Sequence, residues 1–184
     1  MARVGTAIVL GVLLQANEAQ TSADQVPGFD VRIHRAYDAR AVRRALEGAV
    51  QRLAESECQQ IFTDFHDTSG QPLSLRLEAL GRSPEEHLKS VVFHDGFGTS
   101  TCLRRTVSAA TWPGGQVVFI CTPQFAEQAA RERLDAEAVL IHEMLHTLGL
   151  GENPPAAGDI TNDVIRRCYP ERTHFSARPR AAKP

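Results

Sequence analysis

Residues 135–152, DAEAVLIHEMLHTLGLGE, form an apolar stretch with an acidic residue at its start and glycines near its end. Asp135 is placed to cap a helix, and apolar residues occupy nearly every side of that helix. A helix that is apolar all round is buried in a globular protein. We therefore predict a buried central helix with the rest of the domain packed around it.

Two histidines and a glutamate interrupt this apolar helix, in the order His142, Glu143, His146. Residues four apart lie on one helical face, with Cβ atoms roughly 5–6 Å apart, so both imidazoles can reach one metal ion. Glu143 points about 100° away from that face and can meet a metal-bound water rather than the metal. The pattern predicts a zinc site with Glu143 as general base. The alternative is a pair of buried core histidines that bind no metal.

The stretch from His142 to Glu152, HEMLHTLGLGE, resembles the metzincin branch of the zincin metallopeptidases. The pattern of that branch is H-E-x-x-H-x-x-G-x-x-H, with Asp in the last place in some members. Gly149 matches the family glycine, and Glu152 stands where the third ligand would be. The resemblance implies a zincin-like α+β fold, a Zn²⁺ cofactor, a peptide or protein substrate, and His142, His146 and Glu152 as metal ligands.

The chain departs from the metzincin pattern in two places. Metzincins carry a methionine turn downstream of the motif, whereas the only methionines here are Met1 and Met144. Glutamate is also an unusual third ligand for a metzincin, although two His and one Glu form an established catalytic zinc set. The third ligand is therefore open between Glu152 and the other candidates, which are Asp159, Asp163, Glu171 and His174.

Helix geometry explains why a glycine is needed between His146 and Glu152. If the helix continued, residue 152 would lie about 15 Å along the axis from residue 142 and about 80° off its face. Gly149 can adopt the left-handed conformation that ends a helix, so the next residues can turn back toward the imidazoles. An ordinary helix end that binds no metal would use the same glycine.

The predicted reaction is the hydrolysis of a carbonyl compound. Zinc would lower the pKa of its bound water to about 7, and Glu143 would pass that water's proton to the leaving amine. An oxyanion donor is also required; Tyr169 and His174 are candidates, and surface roles are the alternative. Zincins bind peptide as a strand added to a sheet edge, and residues 117–120 are the candidate edge.

Composition limits the choice of function. The 184 residues are 42% apolar with a net charge of −2, which suits one globular domain. A pI near 6.4 gives no electrostatic reason to expect nucleic acid or an anionic membrane as partner, and we expect a monomer. The leading hypothesis is a secreted zinc metallopeptidase. The alternatives are a zinc hydrolase for a non-peptide substrate and a non-catalytic, exported, disulfide-bonded binding domain.

The two ends of the chain are predicted to lie outside the catalytic domain. Residues 1–23 have the pattern of a signal peptide, with Arg3, the apolar stretch 6–14 and cleavage near Ala19 or Ala23, and they predict a secreted or periplasmic protein. Residues 24–37 are expected to form a linker or first strand, residues 38–172 the catalytic domain, and residues 173–184 a disordered basic tail.

Four cysteines fit an exported protein with two disulfides. Three pairings are possible, and sequence alone does not choose among them. We favour Cys102–Cys121, which would link two neighbouring strands and leave Cys58 with Cys168. No C-x-x-C spacing is present, which argues against a thiolate zinc site.

The remaining periodicity predicts the layout around the central helix. A helix capped by Asp38 extends to about Glu57, and Ser83 begins a helix with a capping box. Two further helices are predicted at about 124–133 and 159–168, the second capped by Asp159. Strands are expected at 61–65, 91–93, 106–110 and 117–120. The result is an α+β domain, with a backing helix and a small mixed sheet packed on the buried motif helix.

Overall fold

The structure is a computed structural model that describes residues 28–171. The predicted signal peptide, the predicted tail and His174 lie outside the described residues. The elements in chain order are β1 (Asp30–Arg32), α1 (Ala36–Leu53), α2 (Ser56–Gln59), α3 (Ile61–Asp64), α4 (Leu73–Leu80), α5 (Pro84–Ser90), β2 (Val92–Asp95), β3 (Ala109–Ala110), β4 (Val117–Ile120), α6 (Thr122–Arg131), α7 (Arg133–Thr147) and α8 (Ala157–Cys168). The described residues form an α+β fold, as predicted.

A small mixed sheet has the strand order β1-β2-β4-β3. The first three strands are parallel, and β3 alone runs antiparallel to its neighbour, with Ala109 opposite Ile120. Phe93, Val118 and Ile120 are fully buried, while the residues between them are only partly buried. This alternation places one face of the sheet on the core.

Helix α7 is the centre of the domain, as its sequence predicts. Leu140, Ile141 and Leu145 are fully buried, and nearly the whole helix is enclosed by α1, α6, α8 and the strands β3 and β4. Helix α1 backs it with a stripe in which Val42, Leu46 and Leu53 are buried. The apolar spacing therefore predicted both helices and their shared interface.

Glycine 48 lets α1 approach α7 closely. A Cβ at this position would overlap the carboxyl group of Glu137, which is buried between the two helices. That carboxylate pairs with Arg133 Nε at 3.0 Å and accepts a hydrogen bond from Tyr169 Oη at 3.4 Å. The glycine therefore leaves room for a buried polar cluster.

Replacing Gly48 by Ala should destabilise the domain by about 1–2 kcal/mol, because the displaced Glu137 loses its partners although alanine is the better helix former. The change is measured by denaturant unfolding. In a Glu137→Ala background the same substitution should instead stabilise by about 0.5–1 kcal/mol, since only helix propensity then differs. Equal effects in both backgrounds would show that the two residues do not meet.

Three aspartates predicted to cap helices lie inside the first turn instead. Asp38, Asp135 and Asp159 are each the third residue of their helix, and the residues before α1, α7 and α8 provide no side-chain cap. An aspartate one turn in still interacts favourably with the helix N-terminus, so the sequence preference does not separate the two positions. The capping box at Ser83 is confirmed, with both of its hydrogen bonds to Glu86 present.

The predicted strand at residues 61–65 is wrong. Residues 61–64 form the short helix α3, and Phe65, which ends it, donates its N–H to Ile61 O at 3.0 Å. Five alternating residues do not distinguish a strand from a helical turn, and this turn satisfies its backbone locally. The predicted strand at 106–110 shortens to β3, because residues 99–106 form turns.

The prediction of residues 117–120 as a free edge is also wrong. Strand β4 lies between β2 and β3, so β1 and β3 are the edges of the sheet. The strand itself is present where expected, and so is β2 before the turn at Gly96. Edge position depends on pairing between distant segments, which periodicity does not report.

Both favoured disulfides are present, joining Cys102 to Cys121 and Cys58 to Cys168. The first links the end of β4 to a turn rather than to a second strand, because Cys102 follows β2 within the loop 96–108. The second joins α2 to the last residue of α8. Among residues 28–171, no helix is both long and apolar enough to cross a membrane.

Candidate metal centre

The two motif histidines face each other across one turn of α7. Their Nε2 atoms are 3.0 Å apart, and the ring centroids are 4.9 Å apart. Both side chains are more than nine-tenths buried. The spacing of four residues therefore places both imidazoles on one face of the folded helix, as helix geometry predicts.

Each ring is held at its other nitrogen. His142 Nδ1 lies 2.9 Å from Thr161 Oγ1 on α8, and His146 Nδ1 lies 2.8 Å from the carbonyl oxygen of Leu150. A carbonyl only accepts, so His146 donates its Nδ1–H and keeps a bare Nε2 when neutral. The Thr161 hydroxyl can accept from His142 Nδ1–H, which gives His142 the same tautomer.

The end of α7 brings the Leu150 carbonyl into place. Gly149 has φ +109°, Gly149 N–H donates to His146 O at 2.9 Å, and Leu150 N–H donates to Leu145 O at 3.2 Å. This is the Schellman pattern that ends a helix at a left-handed residue. The predicted role of Gly149 in ending the helix is confirmed, and the turn that follows orients His146.

Burial keeps His142 neutral. Desolvation, followed by the nearby charge of His146, lowers the pKa of the His142 imidazole to about 4. A neutral imidazole is the form that binds a metal. At neutral pH this ring is therefore in the protonation state that a metal ligand requires.

Glu143 lies beside the histidines in a desolvated position. Burial, followed by the charge of Glu152, raises the pKa of the Glu143 carboxyl to about 8, and the backbone N–H of Thr111 opposes this shift. Its Oε2 atom is buried and has no hydrogen-bond partner among residues 28–171. A carboxyl group so placed can both accept and return a proton near neutral pH.

These side chains open onto one cavity of about 470 Å³. His142, Glu143, His146 and Glu152 all line it, and Ala109–Ala110 of β3 form part of the opposite wall. The structure thus brings four of the predicted site residues to one cleft, next to the antiparallel edge of the sheet.

Comparison of the chain with protein-family models, with curated proteins and with solved structures gave no match.

No third ligand lies beside the two histidines among the described residues. Within the described part of the chain, no three His, Cys, Asp or Glu side chains lie close enough together to hold a metal ion. Glu152 lines the cleft but is exposed. Asp163 forms an ion pair with Arg166 at 2.7 Å, and Glu171 forms one with Arg52 at 2.8 Å. The residues that line the cavity do not include Asp159, Asp163 or Glu171.

Tyr169 is not brought to the cleft. It is fully buried, and its Oη donates a hydrogen bond to Glu137. The guanidinium of Arg52 lies over its ring, with the Cζ atom 4.7 Å from the ring centroid. Burial raises the pKa of the phenol, which is a structural group of the core at this position. The structure therefore gives no support to the predicted oxyanion role.

Sequence reasoning missed Thr161, Thr111 and the Leu150 carbonyl. Thr161 is one of several polar residues on α8, and nothing in its spacing marks it as the partner of His142. The other two contacts use backbone atoms, which any residue type provides. Only the packing of α8, β3 and the turn after α7 against the motif reveals them.

Proposed function

We propose that the chain is a secreted zinc-dependent metallopeptidase that hydrolyses peptide bonds with Glu143 as general base. One observation carries the proposal: two buried imidazole Nε2 atoms face each other at 3.0 Å beside a buried carboxyl group in an open cleft. Two disulfides are compatible with an extracellular protein, which supports the export part of the proposal.

The geometry of the histidine pair fits zinc. Two nitrogens bound to one tetrahedral zinc at about 2.0–2.1 Å are roughly 3.3 Å apart, close to the separation found. Both Nδ1 atoms are held by oxygens, as is usual for histidine ligands. Glu152 is the proposed third ligand, because it lines the same cleft as the imidazoles and lies near enough to Glu143 for its charge to raise the pKa of that carboxyl group.

The residues of the cleft divide the chemistry between them. Zinc, when bound by His142 and His146, supplies a Lewis acid and lowers the pKa of water. Glu143 accepts the proton of the attacking water through its unpartnered Oε2 and returns it to the leaving amine. The backbone N–H of Thr111 lowers the pKa of Glu143 against the effect of burial, and so favours the ionised form that accepts the proton.

The short strand β3 supports a peptide substrate. It is the edge of the sheet beside the cleft, and its residues Ala109 and Ala110 have small side chains. An extended peptide can pair with such an edge through main-chain hydrogen bonds. Such a peptide would lie along a wall of the cleft that the histidine pair also lines.

The test combines metal analysis with proteolysis. The purified chain should bind one zinc ion and cleave a denatured protein, and 1,10-phenanthroline should stop cleavage until zinc is restored. Zinc binding with hydrolysis of esters alone would favour the non-peptide hydrolase. Absence of stoichiometric zinc would exclude both hydrolases and favour the non-catalytic, exported binding domain.

Replacing Thr161 by Val should lower zinc affinity about 10–100-fold, because His142 loses the oxygen that fixes its tautomer and ring orientation. Competition with a chromophoric chelator measures the zinc Kd. Thr161→Ser keeps a hydroxyl and is the matched control, with affinity expected near that of the parent. If the Val variant binds zinc like the Ser variant, this hydrogen bond does not position the ligand.

A further inference from the structure

A second polar cavity lies at the C-terminal end of the motif helix α7 and is separate from the cleft. It has a volume of about 130 Å³, and Arg76, Arg82 and His87 are among the residues that line it. By the same measure a single water needs on the order of 10–15 Å³, so the cavity can hold a small ion with water. Thr147, the last residue of α7, lines it, and Gly114 of the lining donates its N–H to His146 O at 2.8 Å.

The lining of this cavity is cationic. Arg76 comes from α4 and Arg82 from the turn before α5, and no Asp or Glu is among the described residues that line it. Arg82 Nη1 donates to Ser90 Oγ at 2.8 Å, which holds its guanidinium across the end of α5. Two guanidinium groups without a facing carboxylate have donors suited to the oxygens of one anion.

The surroundings of His87 show the same excess of positive charge in the cavity. His87 is more than nine-tenths buried, and its Nε2 donates to Thr147 Oγ1 at 2.9 Å, since that hydroxyl donates to Met144 O. Its Nδ1 has no partner among the residues described. Burial, then the charges of Arg82 and Arg76, lower the pKa of its imidazole to about 4. Within residues 28–171, no carboxylate offsets the effect of these two charges on the pKa of the ring.

We propose that this cavity is a binding site for a small divalent oxyanion of the phosphate class, held by Arg76 and Arg82. Two permanent positive charges, on the exposed side chains of Arg76 and Arg82, favour a doubly charged anion over a monovalent one. Tetrahedral oxygens also allow each guanidinium to make paired hydrogen bonds. No residue that lines this cavity also lines the cleft, so phosphate binding can be measured separately from hydrolysis.

Isothermal titration calorimetry of the full chain, purified without added zinc, tests the site with inorganic phosphate at constant ionic strength. We expect saturable binding of one phosphate, similar binding of sulfate, and at least about tenfold weaker binding of acetate. Arg82→Gln and Arg76→Gln should each weaken phosphate binding at least about tenfold. Arg40→Gln, at an exposed position of α1 away from the cavity, is the matched control and should leave it unchanged.

A second measurement locates the bound anion. Phosphate should raise the pKa of His87, followed by NMR of its ring protons, because the anion offsets the charges of the two arginines. Absence of saturable binding, equal loss in the Arg40 variant, or unchanged binding in both cavity variants would overturn the proposal. Circular dichroism of the variants verifies that each is folded.

Discussion

Glu143→Gln should retain zinc and lower kcat/KM for a peptide substrate by about 10²–10⁴-fold, because the amide has the shape of the carboxyl group but cannot accept a proton. The fold should tolerate the change. In the metal-free chain burial raises the pKa of Glu143 to about 8, so an uncharged amide suits this desolvated position. Steady-state cleavage of a fluorogenic peptide, with metal analysis of the same sample, measures both results.

A matched control is available on the same helix. Glu137 is also buried, but it faces α1 and Tyr169 rather than the cleft. Glu137→Gln should therefore leave kcat/KM near the parent value, whatever it does to stability. A Glu143→Gln variant that cleaves as well as the parent would refute the general-base assignment, and loss of zinc from it would instead place the carboxylate among the ligands.

Removing the Cys58–Cys168 disulfide should cost about 4 kcal/mol in the free energy of unfolding. The bond closes a sequence separation of 110 residues, and a loop of about 100 residues corresponds to about 4.7 kcal/mol of unfolded-state entropy. Cys58→Ala with Cys168→Ala is the suitable change, since both sulfurs are buried and alanine adds no polar group. Denaturant unfolding at equilibrium gives the difference.

The other disulfide provides the comparison. Cys102–Cys121 has a separation of 19 residues, and a loop of about 15 residues corresponds to about 3 kcal/mol. The double alanine variant at these positions should therefore lose less stability. A larger loss there would mean that local packing of the loop 96–108, rather than loop length, dominates.

Loss of the Cys58–Cys168 disulfide should also weaken zinc binding, because it releases the end of α8, the helix that carries Thr161.

Local sequence predicted the parts of the site that one helix can supply. The spacing of His142 and His146 alone places both rings on one face, and the apolar residues around them bury that face. Gly149 ends the helix because few other residues adopt its conformation. The capping box at Ser83 was predictable for the same reason, because both of its hydrogen bonds join residues three apart in the chain.

The incorrect predictions concern relations between distant segments. The edge strand near the cleft is β3 rather than residues 117–120, because strand order depends on how four separate segments pair. Residues 61–65 form a helical turn, where five residues gave too short a pattern to decide. Tyr169 follows the motif in sequence, yet its side chain packs on the opposite side of α7.

The sequence by itself determined a buried helix with two imidazoles on one face, an adjacent carboxylate and a glycine that ends the helix, because these depend on the fixed rise and twist of a helix. Only the tertiary structure decided that Thr161 and the Leu150 carbonyl hold the rings, that burial raises the pKa of Glu143, and that β3 borders the cleft. Hydrogen-bond partners, desolvation and strand order arise where segments far apart in the chain meet, and no local pattern encodes that meeting.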